Sequence, residues 1–200
     1  MMRKLVLRGL AVALIVMAAA IPASADEWTV DKAHTNVDFK IKHLGISSVR
    51  GEFTDYDATV QWDGKDLSTL QVTGTIRATS VDTGNEKRDN HLRDHEFFDV
   101  TKTPEIKFVS KSVEKVDEDT AKMAGEITIK GVTKPITLTV EHGGTIPDDG
   151  WGNARAAFAV TGELNRKDFK VQMDSDLKDA GIGETVRIEI NTEVTKPLAK

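Results

Sequence analysis

The chain has 200 residues, 39% of them hydrophobic, with 27 Lys and Arg against 32 Asp and Glu and no cysteine. That length suits one domain with its own core, and zero cysteine excludes disulfides, thiolate metal sites and cysteine nucleophiles. A formal charge of −5 argues against nucleic acid as a partner, because phosphates need a basic face.

Residues 1–25 place Arg3, Lys4 and Arg8 before an apolar run from Leu10 to Ile21, then Pro22 and Ala23-Ser24-Ala25. A charged start, a short apolar stretch and a small-residue exit describe a secretory signal peptide. The run is short for a bilayer span. Cleavage is expected after Ala25, leaving a single domain of residues 26–200 with 24 basic and 32 acidic residues, a formal charge of −8. An acidic, exported, disulfide-free protein of this kind is expected in the periplasm.

From there the chain alternates apolar and polar residues, the period of a half-buried strand. Val37, Phe39 and Ile41 form the first set. Tyr56, Ala58, Val60 and Trp62 follow out of phase with Phe53, which predicts a bulge near Thr54-Asp55. Leu70, Val72, Gly74, Ile76 and Ala78 make the third set. A short helix is predicted over residues 85–93, with Thr83 or Asn85 as cap and Asp89 and Arg93 spaced i,i+4. Then come Ile106 with Phe108; Met123, Gly125, Ile127 and Ile129; Ile136, Leu138 and Val140; and Ala154, Ala156, Phe158 and Val160. A second short helix or lid is expected around residues 174–180, before the last set, Val186, Ile188, Ile190 and Val194. Turn-like segments such as Lys130-Gly131 and residues 147–150 separate the sets.

Eight strands with one apolar face each close into an antiparallel barrel, which removes exposed edges. Lys40, Lys42, Lys107 and Lys111 occupy the polar face in mid-strand, and an eight-stranded lumen has no room for them. A membrane barrel also needs aromatic girdles that this chain lacks. The apolar face therefore points inward, as in a lipocalin-like, all-β, eight-stranded barrel with one or two short helices near its mouth. Whether the interior is packed solid or holds a ligand stays open on these grounds. Alanine and glycine at Ala58, Gly74, Ala78, Ala154, Ala156, Ala157 and Ala159 leave space, with Ala157 or Ala159 a candidate inward position. Of the adjacent Phe97 and Phe98, one ring is expected to close the mouth while the other packs outside.

Four segments carry a resemblance. Residues 42–53 read KHLGISSVRGEF, 80–100 SVDTGNEKRDNHLRDHEFFDV, 125–140 GEITIKGVTKPITLTV and 165–169 NRKDF. With Trp28-Thr29-Val30-Asp31 and His34, they resemble the YceI-like family in order and spacing. The resemblance implies an exported lipocalin-like barrel, often dimeric, whose hydrophobic tunnel holds a polyprenyl compound, an isoprenoid quinone or a related long-chain amphiphile. It implies a tunnel lined by Phe39, Ile41, Leu44, Val49, Phe53, Phe97, Phe98, Phe108, Phe158 and Phe169. Arg50, Arg88, Asp89, His91, Arg166 and Asp168 are expected in a polar network at the mouth or bracing the helix. The chain departs from the family at Lys170, where glycine is common, and at Asp94-His95-Glu96, where small or polar residues are usual.

His91 and His95, four apart, invite a two-imidazole metal reading, but no third ligand is assured, and none is assigned. No nucleophile elbow, phosphate-binding loop or dinucleotide fingerprint occurs, so no catalytic residue is named. The leading expectation is a non-catalytic lipid carrier, possessing no required cofactor and no stable membrane insertion, acting as a homodimer and answering envelope stress. The alternatives are an enzyme acting on an isoprenoid head group through Arg88, His91 and His95, and a structural stress protein with a filled barrel.

Overall fold

A computed structural model describes residues 25–173, 179 and 181–198. Within them the apolar alternation becomes a single antiparallel sheet of ten strands and one helix. The strands are β1 (Asp26–His43), β2 (Ser47–Phe53), β3 (Tyr56–Trp62), β4 (Gln71–Arg77) and β5 (Val81–Asp82). After helix α1 (Glu86–Arg93) come β6 (Glu105–Lys115), β7 (Thr120–Ile129), β8 (Val132–Ile146), β9 (Asn153–Asn165) and β10 (Ile182–Pro197).

β1 runs the whole height of the sheet and pairs with β10 along its length, from Thr29 opposite Thr195 to His43 opposite Ile182, which closes the barrel. On its other side β1 pairs with β3 at one end and β2 at the other. Together β2 and β3 make one stave, broken at Thr54 and Asp55 where a bulge was expected, and β5 pairs antiparallel beside β2 as β4 does beside β3, so β4 and β5 share the next stave. Eight staves therefore surround the interior, as the alternation predicts. β2 itself is not among the eight predicted strands, because Gly51 weakens its apolar face.

The inward face changes phase once. Trp28 and Val30 point in, then the β1–β10 register slips between Asp31 and Asn36, after which Val37, Phe39 and Ile41 point in. An odd number of extra residues reverses every side chain beyond it. That bulge is what allows one strand to serve two differently phased segments.

One end of the barrel is filled. Trp28 and Trp62 lie 5.5 Å apart, with indole N–H groups donating to Trp62 O (3.1 Å) and Asp66 O (3.0 Å). Phe158 meets Trp62 edge-on at 5.3 Å, and Leu67 closes the floor from a 3-10 turn, Leu67–Thr69. A buried aromatic removes about 150–250 Å2 from water, worth roughly 4–6 kcal/mol at about 25 cal/mol per Å2. This plug therefore contributes strongly to the stability of the closed end.

At the opposite end stand the β1–β2 turn (residues 44–46), α1, the segment 94–104 and the 3-10 turn Arg166–Phe169. The second helix or lid expected at 174–180 lies outside the described residues except for Asp179, and the expected signal peptide, residues 1–25, lies outside them except for Ala25.

Candidate functional site

Between plug and rim the barrel holds a cavity of about 980 Å3, at the upper end of the usual 300–1,000 Å3 for ligand pockets, roughly. Its walls are the inward residues of the strands: Val37, Phe39 and Ile41 from β1, Ile76 from β4, Leu138 and Val140 from β8, and Ile188 and Ile190 from β10 among others. Small residues keep it from filling. Ala58 and Gly74 face each other across β3 and β4 and line the lumen. Glycines also let large side chains lie flat. Phe39 folds onto Gly51, its partner across β1 and β2. Phe108 folds onto Gly125, where an added Cβ would stand 2.6 Å from the ring. The rings therefore cover the wall and leave the lumen open.

Phe39, Ile41, Leu44, Val49, Phe53, Phe97, Phe98, Phe108, Phe158 and Phe169 all border this cavity. Phe39, Phe53 and Phe98 form a chain of rings, 5.6 and 5.8 Å between centroids, and Phe158 sits on the floor against Trp62. Leu44 stands apart. It is 62% exposed at the rim, on a turn residue with φ of 52°. Both rings of Phe97 and Phe98 face the lumen, which corrects the expectation that one packs outside. They lie on an irregular turn after α1, so strand alternation does not force them to opposite faces. Ala157 and Ala159 are corrected as well: neither faces inward. Their neighbours on β10 are Glu193 and Asn191, and Ala154, Ala156 and Phe158 are the buried set on β9.

The polar residues divide. Arg88, His91 and Arg166 border the cavity, whereas Arg50, Asp89 and Asp168 do not. Arg50 alternates with the inward Val49 and Gly51, so it stands on the outer wall, exposed, opposite Lys40. Asp89, buried, accepts from the Thr83 amide (3.0 Å) and hydroxyl, fastening α1 to the barrel. Arg93 completes that attachment by donating to the Thr79 and Val81 carbonyls, and its predicted pairing with Asp89 does not form. Asn85, one of the two expected caps, accepts from the Arg88 amide at 3.0 Å.

Arg166 is 3% exposed and pairs with Asp179, 2% exposed, through two bonds of 2.8 and 2.7 Å. Asp168 next to it is exposed and takes no part. Arg166 also donates to the carbonyls of Val171, Ile182 and Gly183, so one guanidinium ties the chain after β9 to the start of β10. Burial pushes the Asp179 carboxyl up, but the Arg166 guanidinium, the Met173 amide and Lys167 outweigh it and leave it below the ordinary value. The sequence holds no local signal for this pair, because its members are 13 residues apart.

His91 and His95 do not converge. The helix ends at Arg93, so His95 leaves its face. His91 Nε2 lies 2.6 Å from Glu96 Oε2, and His95 Nδ1 lies 2.8 Å from Asp94 Oδ1. A different set, Asp31, His34 and Glu193, does bring three ligand atoms together. A guanidinium already holds it: Arg155 Nη1 is 2.6 Å from both Asp31 and Glu193. The Arg155 and His34 bonds lower the Asp31 carboxyl to about 2 against partial burial.

Residues 28–194 match the family model described as the YceI-like domain. Protein YceI of Shigella flexneri is 41% identical over 170 residues, 84% of this chain and 87% of that protein. A UPF0312 protein of Staphylococcus aureus strain MSSA476 is 38% identical over 168 residues, 83% of this chain and 95% of that one. The crystal structure of Campylobacter jejuni YceI superposes with a TM-score of 0.64 at 38% identity, covering 88% of this chain and 99% of that one. A polyisoprenoid-binding domain from Saccharophagus degradans shares the fold, with a TM-score of 0.61 at 15% identity over 85% of this chain and 98% of that one.

Proposed function

The chain belongs to the YceI-like family, and from that premise we propose that it carries a long-chain isoprenoid-like lipid, a polyprenyl compound or an isoprenoid quinone, without catalysis. The observation behind this reading is the continuous apolar cavity from the tryptophan plug to the rim. At about 0.8 kcal/mol per buried CH2, a twenty-carbon tail gains roughly 16 kcal/mol, enough to outweigh an association cost of roughly 4–15 kcal/mol. Little polar recognition along the tail is needed. The name of the Saccharophagus degradans domain, polyisoprenoid-binding, supports the same ligand class.

A carrier also fits the polar chemistry at hand. The His91 ring, which borders the cavity, is turned to Glu96. The leader of residues 1–25 supports a periplasmic address. Homodimerisation rests on the family resemblance, and a role in envelope stress is what sequestering such a lipid would serve. Lipid extraction from the purified protein followed by mass spectrometry tests the reading. A stoichiometric long-chain species is expected. A lipid-free protein that also takes up no fluorescent prenyl probe overturns it.

A further inference from the structure

We propose that the β1–β2 side of the barrel docks reversibly on an anionic lipid surface, Leu44 and Ile46 entering its head-group layer while Lys40, Lys42 and Arg50 face its charges. The inference goes beyond the carrier reading. It concerns the outer wall, and it holds or fails whether or not the lumen carries a lipid.

The β1–β2 turn is built with its apolar side chains at the surface. Ile46 N donates to His43 O (3.2 Å), and Leu44 N donates to Gly181 O (2.7 Å), which ties the turn to the residue before β10. Leu44 and Gly45 have φ of 52° and 72°, a left-handed pair that Asn and Gly adopt most readily. A leucine at the first position therefore goes against the local preference of the turn. Leu44 is exposed and Ile46 is 86% exposed, so the projecting tip of the rim presents two branched aliphatic side chains to water. A local rule broken at a projecting tip points to a role outside the fold.

Charge selects the partner. Behind the turn, Lys40 stands opposite Arg50 on β2 and Arg187 on β10, and Lys42 lies one step nearer the tip on the same outer face. Like charges side by side cost a sheet stability. Arg187 is offset by Glu163 (3.0 Å), and Glu184 on the same stretch of β10 is bonded to Lys167 (3.1 Å). Among the described residues, no carboxylate lies within 4.0 Å of Lys40, Lys42 or Arg50. One step farther from the mouth the sign reverses, with Asp38 opposite Glu52 and Glu189. The outer wall is thus banded, basic beside the apolar tip and acidic below it. A field of that polarity turns the tip toward an anionic surface and keeps the rest of an acidic chain away from it.

Two other regions fit such a surface less well. The arc of the rim from α1 onward carries Glu86, Asp94 and Asp99. At the closed end Trp151 is 84% exposed, but Asp148 and Asp149 precede it in the same turn. Of the exposed apolar tips, only that of the β1–β2 turn is backed by cations.

Each cation held near an anionic membrane is worth about fivefold in affinity, so two or three together give about 25- to 125-fold. Flotation of the protein purified after export tests this, with vesicles of phosphatidylcholine alone and of phosphatidylcholine and phosphatidylglycerol in equal parts. The anionic vesicles are expected to bind tighter by that factor, and molar salt should abolish the difference. Lys42→Glu combined with Arg50→Glu should bring binding down to the level of the neutral vesicles. Ile46→Ser should weaken binding to the anionic vesicles about tenfold. Trp151→Ala should bind as the unaltered protein does. All four positions are exposed, and thermal unfolding checks that each variant folds. Equal binding of the two vesicles by the unaltered protein overturns the proposal, whatever the variants do. Loss in Trp151→Ala with none in Ile46→Ser assigns docking to the closed end and overturns it as well. Neither vesicle contains an isoprenoid, so both of these results leave the carrier reading standing, and an empty lumen would leave the docking standing.

Discussion

Blocking the lumen at Gly74 separates a tunnel that holds a lipid from one that merely exists. Gly74 lies midway along β4 between Ala58 and Phe108, and a Cβ placed there meets only Asp57 O, at 3.9 Å. Gly74→Trp therefore starts its side chain in free space and directs the indole into the lumen that Gly74 lines. Tryptophan also suits a strand better than glycine, so the thermal midpoint should hold or rise. If the ring excludes five tail carbons, the loss is about 4 kcal/mol at about 0.8 kcal/mol per CH2, near a thousandfold in Kd. Ala159→Trp, on the outer face, is the control and should bind as the unaltered protein does. The assay is uptake of a fluorescent prenyl probe, read beside thermal unfolding of both variants. Unchanged affinity in a folded Gly74→Trp protein would refute the tunnel as the lipid site, and loss in Ala159→Trp would refute the assignment of faces.

Asp179→Asn leaves the Arg166 charge buried without its counter-ion, and urea unfolding should show a loss of about 3–5 kcal/mol. Lys170 follows the 3-10 turn with φ of 58°, the left-handed region that glycine adopts freely, so Lys170→Gly should stabilise by about 0.5–1 kcal/mol in the same assay, part of the relief being offset by glycine's looser unfolded chain. Asp31 has its carboxyl lowered from the ordinary 3.8 to about 2, so its contribution is complete above about pH 4 and lost as pH falls toward 2. Acid titration of unfolding should show a decline of about 1–2 kcal/mol in that window, and Arg155→Gln should flatten it.

Much of the fold was legible because strand alternation is a local property. The inward sets at 56–62, 123–129 and 154–158 follow from apolar residues two apart, and closure follows from eight such faces needing cover. The resemblance likewise picked out aromatic residues that border the cavity, since the first motif and the Phe97-Phe98 pair carry them in fixed order. The departure at Lys170 also pointed to a real feature, a backbone angle that favours glycine. Local pattern failed where side chains answer to distant partners. Asp168 was expected in one polar network with Arg166, yet it stands exposed and the carboxylate that meets Arg166 is Asp179. His91 and His95 looked like one helix face, yet the helix stops between them.

The sequence by itself determined the strand period, the inward direction of the apolar face and the helix that follows Asn85 at the rim, because each depends on residues within a turn or two of one another. Only the tertiary structure decided whether the barrel is full or hollow. That outcome depends on pairings such as Phe39 with Gly51 and Phe108 with Gly125, in which a ring lies against a neighbouring strand that has no side chain to resist it. It also decided which guanidinium meets a buried carboxylate, Arg166 with Asp179, and which is held by Thr83, Arg88. Charge partners are chosen by distance in space, and alternation along the chain carries no record of that.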